Sequence, residues 1–196
     1  MKGESFKTNI GIFASGAGTN TQKIIDHFRS NKTTKVALIV SNKPEAAVLQ
    51  IAKRENIPSM VLDKDKFFRG NAYADELKEK NINFIVLAGF LWKIPLALTE
   101  AYSGKMINLH PALLPKYGGK GMYGSRVHEA VLASGDKESG ISIHYVDPLY
   151  DHGQIIFQAK CRVEENDTAE SLAKKIQLLE HAHFPKIIEE LTMCKI

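Results

Sequence analysis

Two cysteines among 196 residues, Cys161 and Cys194, are too few for a disulfide scaffold, and no CxxC pair marks a redox or zinc site. The expected setting is therefore reducing and cytoplasmic. No apolar run approaches the roughly 18 residues of a membrane helix, and residues 1–9 carry Glu4 and no apolar stretch, which excludes a signal peptide there. Neither membrane nor secretion is expected. Pro/Gly/Ser-rich linkers are missing as well, so residues 1–196 are expected to form a single domain. The charge is modest: 26 basic and 22 acidic residues give +4, with the lysines scattered rather than gathered on one face or in an arm. That pattern disfavours nucleic acid as a partner and suits attraction of a small anion.

Metal-ligand spacing is also lacking. His128-Glu129 opens like a zinc-protease helix, but Leu132 stands where the second histidine belongs, and His181 and His183 are two apart in a helical stretch. No metal is expected.

What is present is an apolar fraction of 44% arranged in alternating strand-like and helix-like segments. Strands are expected at residues 9–14 (NIGIFA), 35–40 (KVALIV), 59–62, 83–88 (NFIVLA) and 105–109 (KMINL). Between them fall helical stretches at 20–28, where Ile24, Ile25 and Phe28 share a face, at 44–54, with Pro44 in the first turn, and at 71–80 and 94–101. Such regular alternation implies right-handed crossovers, hence an α/β fold with an open, mostly parallel twisted sheet and helices on both faces. The second half differs. A Gly-rich stretch over 117–125 precedes a helix at 127–133, and then 139–146 and 154–163 read as a hairpin, which makes the sheet mixed in its C-terminal part. Asp167 and Glu170 are spaced as a capping box for a last helix with Leu172, Ile176 and Leu179 on one face, and Pro185 is expected to kink or end it.

Two places carry chemistry. Ser15-Gly16-Ala17-Gly18-Thr19-Asn20 follows the first strand and opens a helix, where backbone N–H groups and the helix dipole make an anion site without a cationic side chain. As a dinucleotide fingerprint the loop fails, since Thr21 stands at the third glycine and Ser41-Asn42 where an acidic residue would hold a ribose. It fits a monophosphate, although a glycine turn needed only for tight packing has the same spelling. The second place is Asn108-Leu109-His110-Pro111, at the carboxyl end of the fifth strand. Residues i and i+2 of a strand point the same way, so Asn108 and His110 face one site: an amide and an imidazole suited to holding an oxyanion and moving a proton. Asp151, in the turn Tyr150-Asp151-His152-Gly153, is the best available carboxylate partner, expected to raise the imidazole pKa, though an Asx turn explains Asp-x-Gly equally well.

SGAGTN, VLAGFLWKIP, NLHPALLPKYGGKG, GISIHYVDPLYDHGQIIFQAK and LLEHAHFP, in that order over nearly the whole chain, resemble the folate-dependent phosphoribosylglycinamide formyltransferase family. The resemblance implies a Rossmann-like formyltransferase fold and transfer of a formyl group from 10-formyltetrahydrofolate to the amine of glycinamide ribonucleotide, both small-molecule partners. It implies Asn108, His110 and Asp151 as the catalytic set, with Asn108 and protonated His110 donating to the tetrahedral oxyanion and Asp151 keeping His110 charged; it also implies Gly18, Thr19 and Asn20 at the substrate phosphate, and Glu180 at the ribose or amide part. For folate it implies Arg69, Leu91, Trp92, Lys93, Ile94, Asn108 and Asp147. The stretch 118–127 is longer than the family pattern, and its extra glycines suit a flap. A formyltetrahydrofolate hydrolase-like enzyme and a non-catalytic sugar-phosphate binding module are the alternatives. Relatives with an extra regulatory or C-terminal domain need more chain than is here.

Overall fold

Strand side chains alternate between two faces, and in this chain both faces are apolar, which requires cover on both sides. The computed structural model describes residues 7–193; Cys194 and the stretch around Glu4 lie outside it. Its elements are β1 (Thr8–Phe13), α1 (Thr19–Phe28), β2 (Thr34–Ser41), α2 (Ala47–Arg54), β3 (Ser59–Val61), α3 (Lys64–Phe68), α4 (Ala72–Glu79), β4 (Phe84–Leu87), α5 (Leu96–Ala101), β5 (Met106–His110), α6 (Ser125–Ser134), β6 (Glu138–Tyr145), β7 (Ile155–Arg162) and α7 (Ala169–Met193). The sheet runs β3-β2-β1-β4-β5-β6-β7. Strands β1 to β5 pair in parallel, and β6 and β7 are antiparallel additions on the β5 side. The expected mixed α/β sheet is therefore present.

Parity sorts the core. Ile10, Ile12, Phe84, Val86, Ile107 and Leu109 point to the face covered by α1, α6 and α7, where Ile24, Phe28, Val131, Leu172, Ile176 and Phe184 meet them. Phe13, Ile85, Leu87 and Met106 point to the other face, against Phe67, Leu77 and Leu98 of α3, α4 and α5. Asn108 and His110 share the parity of Met106, so they belong to that second face, at the strand's carboxyl end.

Four local expectations are corrected. Pro44 lies in a turn before α2, which starts only at Ala47 after an extended Ala46. The short helix α3 was not anticipated; Asp63 caps it by accepting from Lys66 N at 2.8 Å. The capping box of α7 sits one residue later than Asp167: Ser171 N donates to Thr168 Oγ1 (3.1 Å) and Thr168 N to Ser171 Oγ (2.9 Å). Asp167 instead accepts from Lys175 Nζ, Ser171 Oγ and Glu164 N, which hold its carboxyl down to about 2. Pro185 neither ends nor breaks α7, which continues to Met193. A proline inside a helix costs about 3 kcal/mol, but Phe184 before it and Ile187 and Ile188 after it are buried in one core, and their burial outweighs that cost. No helix among the described residues is long and apolar enough to cross a membrane.

The loop after β5 is pinned from β6. Ser142, fully buried, donates from Oγ to the Ala112 carbonyl (2.7 Å) and accepts from Leu114 N (2.9 Å) and Gln158 Nε2 (2.8 Å). Ser142→Ala leaves the Leu114 N–H and the Ala112 carbonyl unpaired, at about 1–3 kcal/mol per group. We expect urea unfolding to report a loss of roughly 2–4 kcal/mol on that basis; a loss below about 0.5 kcal/mol, the scale of an ordinary surface change, would show that the loop holds itself.

Candidate active site

The strand order reverses direction between β1 and β4, and an open α/β sheet leaves a crevice at the carboxyl ends beside such a point. A cavity of about 520 Å³ lies there. It brings together Gly18, Thr19, Asn20, Leu91, Asn108, His110, Asp151 and Glu180, with residues 119–124 and Tyr150 along its other wall.

On one side is the glycine loop. Gly18 is left-handed (φ 76°), and a Cβ there would stand 2.7 Å from Val48 Cγ2 and 2.9 Å from Ile51 Cδ1. Only glycine fits on both counts. No side chain caps α1, and no acidic residue lies in its first turn, so its N-terminal N–H groups and positive dipole end are available to an external anion. One of the two Asn20 Nδ2 hydrogens is engaged, donating to Glu180 Oε2 at 2.8 Å. Thr19 Oγ1 accepts a 3.3 Å bond from Gln177, which leaves its hydroxyl hydrogen to donate. Burial pushes the Glu180 carboxyl up, against the opposing effect of Asn20. Ser15 Oγ closes the base of the loop, donating to Asn42 Oδ1 (2.6 Å) and accepting from Leu91 N (2.9 Å), so the ends of β1, β2 and β4 are tied together.

On the other side is a polar cluster around Asp151. Its Oδ2 accepts from Gly119 N (2.9 Å) and lies 3.5 Å from His110 Nδ1; its Oδ1 accepts from Asn108 Nδ2 (3.3 Å) and lies 3.7 Å from His144 Nε2. Burial pushes the Asp151 carboxyl up, yet the net direction is below its ordinary value, with hydrogens supplied by the Gly119 N–H and the Asn108 amide. Asn108 also donates to His144 Nε2 at 3.0 Å, and His144 Nδ1 donates to the Tyr145 carbonyl at 2.8 Å. Both amide hydrogens of Asn108 are thus engaged, the weaker bond being the one to Asp151.

His110 is 3% exposed, and its Nε2 donates to the Tyr117 carbonyl at 2.7 Å. The expectation that Asp151 raises the imidazole pKa has the pairing right and the net direction wrong. Burial, the largest influence, lowers it, and Asp151 and the Tyr117 bond recover only part. Burial thus favours the neutral imidazole over the imidazolium, and Nδ1, on the ring side opposite the Nε2–H, is turned towards the carboxylate.

The other residues expected at folate lie outside the cavity lining. Arg69 is exposed, 3.8 Å from Asp65. Trp92 packs in an aromatic group with Phe67, Phe68 and Phe90, at ring separations of 5.5, 5.5 and 6.4 Å. Ile94 is buried in the core beneath them, and Lys93 lies 5.9 Å from the Tyr150 ring. Asp147 accepts from Leu149 N and is 2.8 Å from His152 Nδ1, which fixes the turn rather than facing the cleft. Sequence reasoning missed His144, Tyr117 and Gly119. His144 could have been found from register alone, because antiparallel pairing sets it opposite Asn108.

The formyl transferase family model matches residues 8–188. The chain is 37% identical over 191 residues to the chloroplastic phosphoribosylglycinamide formyltransferase of Arabidopsis thaliana, covering 94% of this chain but only 65% of that protein. It is 35% identical over 185 residues to the phosphoribosylglycinamide formyltransferase of Bacillus subtilis, covering 92% of each. The crystal structure of the Bacillus halodurans phosphoribosylglycinamide formyltransferase superposes with a TM-score of 0.86 at 37% identity, over 96% of both chains.

Asp151 supplies the one negative charge that raises the His110 pKa. Asp151→Asn removes it, so His110, followed by NMR titration, should gain its second proton at lower pH than in the parent. A midpoint that stays or moves upward would mean that the carboxylate is not felt at the ring.

Proposed function

We propose that this chain, which belongs to the formyl transferase family, transfers a formyl group from 10-formyltetrahydrofolate to the amine of glycinamide ribonucleotide. The observation that carries the reading is the single cleft in which Asn108, His110 and Asp151 face an uncapped helix N-terminus at Gly18 to Asn20. The relatives' names support the acceptor and the formyl transfer, the family resemblance supports the folate donor, and the cleft has fitting chemistry at each end. We take the chain as one catalytic domain.

The phosphate of the ribonucleotide docks on the first-turn N–H groups of α1 and the Thr19 hydroxyl, with Glu180, steadied by Asn20, at the ribose or amide part. The folate lies along the wall formed by Leu91 and Tyr150, with Trp92, Lys93, Ile94, Arg69 and Asp147 shaping that end from behind or beside it. No metal takes part in this reading.

Attack of the amine on the formyl carbon builds a tetrahedral oxyanion and leaves a proton on the amine nitrogen. Asn108 exchanges its 3.3 Å bond to Asp151 for one to the oxyanion. A single such donor is worth about 2.7–4 kcal/mol of barrier. Neutral His110 takes up the amine proton, directly or through a water, at Nδ1, where Asp151 stabilises the imidazolium, and the proton then passes to the leaving folate nitrogen. No covalent enzyme intermediate is required. Holding both substrates in one cleft contributes the rest of the acceleration.

Purified protein should convert 10-formyltetrahydrofolate to tetrahydrofolate only when glycinamide ribonucleotide is present. Turnover with water alone would support a hydrolase, and none with either acceptor would support a binding module. Asn108→Ala and His110→Ala should each lower kcat by about 10²–10³, the loss typical of one oxyanion or proton-transfer group, with ribonucleotide binding retained by calorimetry.

A further inference from the structure

We propose that Tyr117 and Asp136 are positioning residues for His110, fixing its tautomer from outside the cleft through the Tyr117 carbonyl. The proposal rests on His110 as the proton-transfer group of the reading above. A carbonyl has no hydrogen to give, so the 2.7 Å bond to Tyr117 O demands a hydrogen on His110 Nε2. That assigns the basic lone pair to Nδ1, the atom 3.5 Å from Asp151 Oδ2. Were the ring to carry its hydrogen on Nδ1, a neutral His110 would have no basic atom beside Asp151. The direction of that one carbonyl therefore decides whether the pair can take up a proton.

The carbonyl is aimed by a residue in an unusual conformation. Tyr117 has φ +56°, a left-handed backbone that a bulky residue keeps only where its surroundings over-determine it. Its phenol donates to Asp136 Oδ2 at 2.7 Å and lies against Ser134 Oγ. Asp136 Oδ2 also accepts from Lys116 Nζ at 2.8 Å, and Asp136 N donates to Ser134 Oγ at 3.2 Å. Lysine and phenol together hold the Asp136 carboxyl below its ordinary range, so the anchor is ionised at neutral pH. The knot stands at the end of α6, a rigid element whose Val127 and Val131 are buried. Tyr117 thus spans from the end of α6 to His110, its side chain tied at one end and its carbonyl committed at the other. None of the anchoring side chains, Lys116, Ser134 and Asp136, lines the catalytic cavity.

Titratable groups facing His110 are Asp151 from the β6–β7 turn, His144 from β6 and His128 from α6. Their influence acts on whichever nitrogen is free to titrate, and the Tyr117 carbonyl selects that nitrogen.

The test uses the full ¹⁵N-labelled chain and long-range correlation of the imidazole nitrogens at a pH where His110 is neutral. The parent should show His110 solely as the Nε2–H tautomer. Tyr117→Phe and Asp136→Ala, each checked for folding by urea unfolding, should show a mixture with Nδ1–H. Their kcat should fall roughly tenfold, the scale of lost outer-shell support, with KM changed less than about twofold. If Tyr117→Phe does not fold, Asp136→Asn is read in its place, since it keeps an acceptor but loses the charge that draws the phenol. A pure Nε2–H signal in every folded variant overturns the proposal, whatever the rates. A tautomer shift in a protein that transfers no formyl group upholds the positioning and sinks the proposed function instead, while formyl transfer with an unmoved tautomer does the reverse.

Discussion

A carboxylate removed from water must accept hydrogen bonds or lose its charge, and the cleft is organised around meeting that demand at Asp151. The side chain is 12% exposed, and its two oxygens face a backbone N–H, an amide and two imidazoles. The partners come from three pieces of chain: Gly119 from the loop after β5, Asn108 and His110 from β5, and His144 from β6. Asp151 itself has φ +52°, in the turn that joins β6 to β7. Space is allotted to match. A Cβ on Gly118 would meet Leu114 at 2.6 Å and Asp151 Cβ at 3.2 Å, and one on Gly153 would collide with the Tyr145 carbonyl at 1.8 Å. Satisfying one buried charge therefore sets where the loop after β5 and the β6–β7 turn sit.

The sheet makes this convergence possible. In its parallel part, the carboxyl ends of β1, β4 and β5 lie side by side, so the glycine loop, the Gly89 turn and the Asn108–His110 pair open onto one edge. The antiparallel addition of β6 then does what a further parallel strand could not. It runs back past β5, placing His144 opposite Asn108 and Ser142 opposite His110, and its own exit turn delivers Asp151 to the same edge. A parallel β6 would have sent that turn to a helix instead. The mixed sheet is thus part of the site rather than an appendage to it.

What the sequence made legible follows from how local each signal is. Strand parity placed Asn108 and His110 together, and a strand–glycine–helix junction located the glycine loop at the cavity, because both are decided within a few residues. The hairpin was visible from alternation in 139–146 and from its turn. The continuation of α7 through Pro185 was not, since it depends on Phe184, Ile187 and Ile188 being buried together around the proline. Nor was the shift of the capping box to Thr168 and Ser171, where Asp167 was drawn off by Lys175 two turns along. His144, Tyr117 and Gly119 needed pairing between distant segments, and the folate-side residues needed to know that Phe67 and Phe68 of an unforeseen short helix would cover Trp92.

The largest difference between sequence and structure concerns charge, and it bears on how the chemistry is timed. From sequence, a carboxylate beside an imidazole argues for a standing ion pair. In the structure burial opposes the imidazolium more strongly than Asp151 favours it, while the carboxylate stays ionised on bonds that do not require a proton between the two. The pair at rest holds one negative charge and a basic nitrogen 3.5 Å away, slightly too far for a direct bond and near enough to form one once a proton arrives. In the proposed reaction, a standing ion pair would have no basic nitrogen to offer an attacking amine. Under that proposal, a neutral imidazole with a waiting anion would gain a strong, charge-assisted bond only as the amine gives up its proton. The attraction is thereby made to grow along the reaction instead of being present before it, which is the condition under which an interaction lowers a barrier.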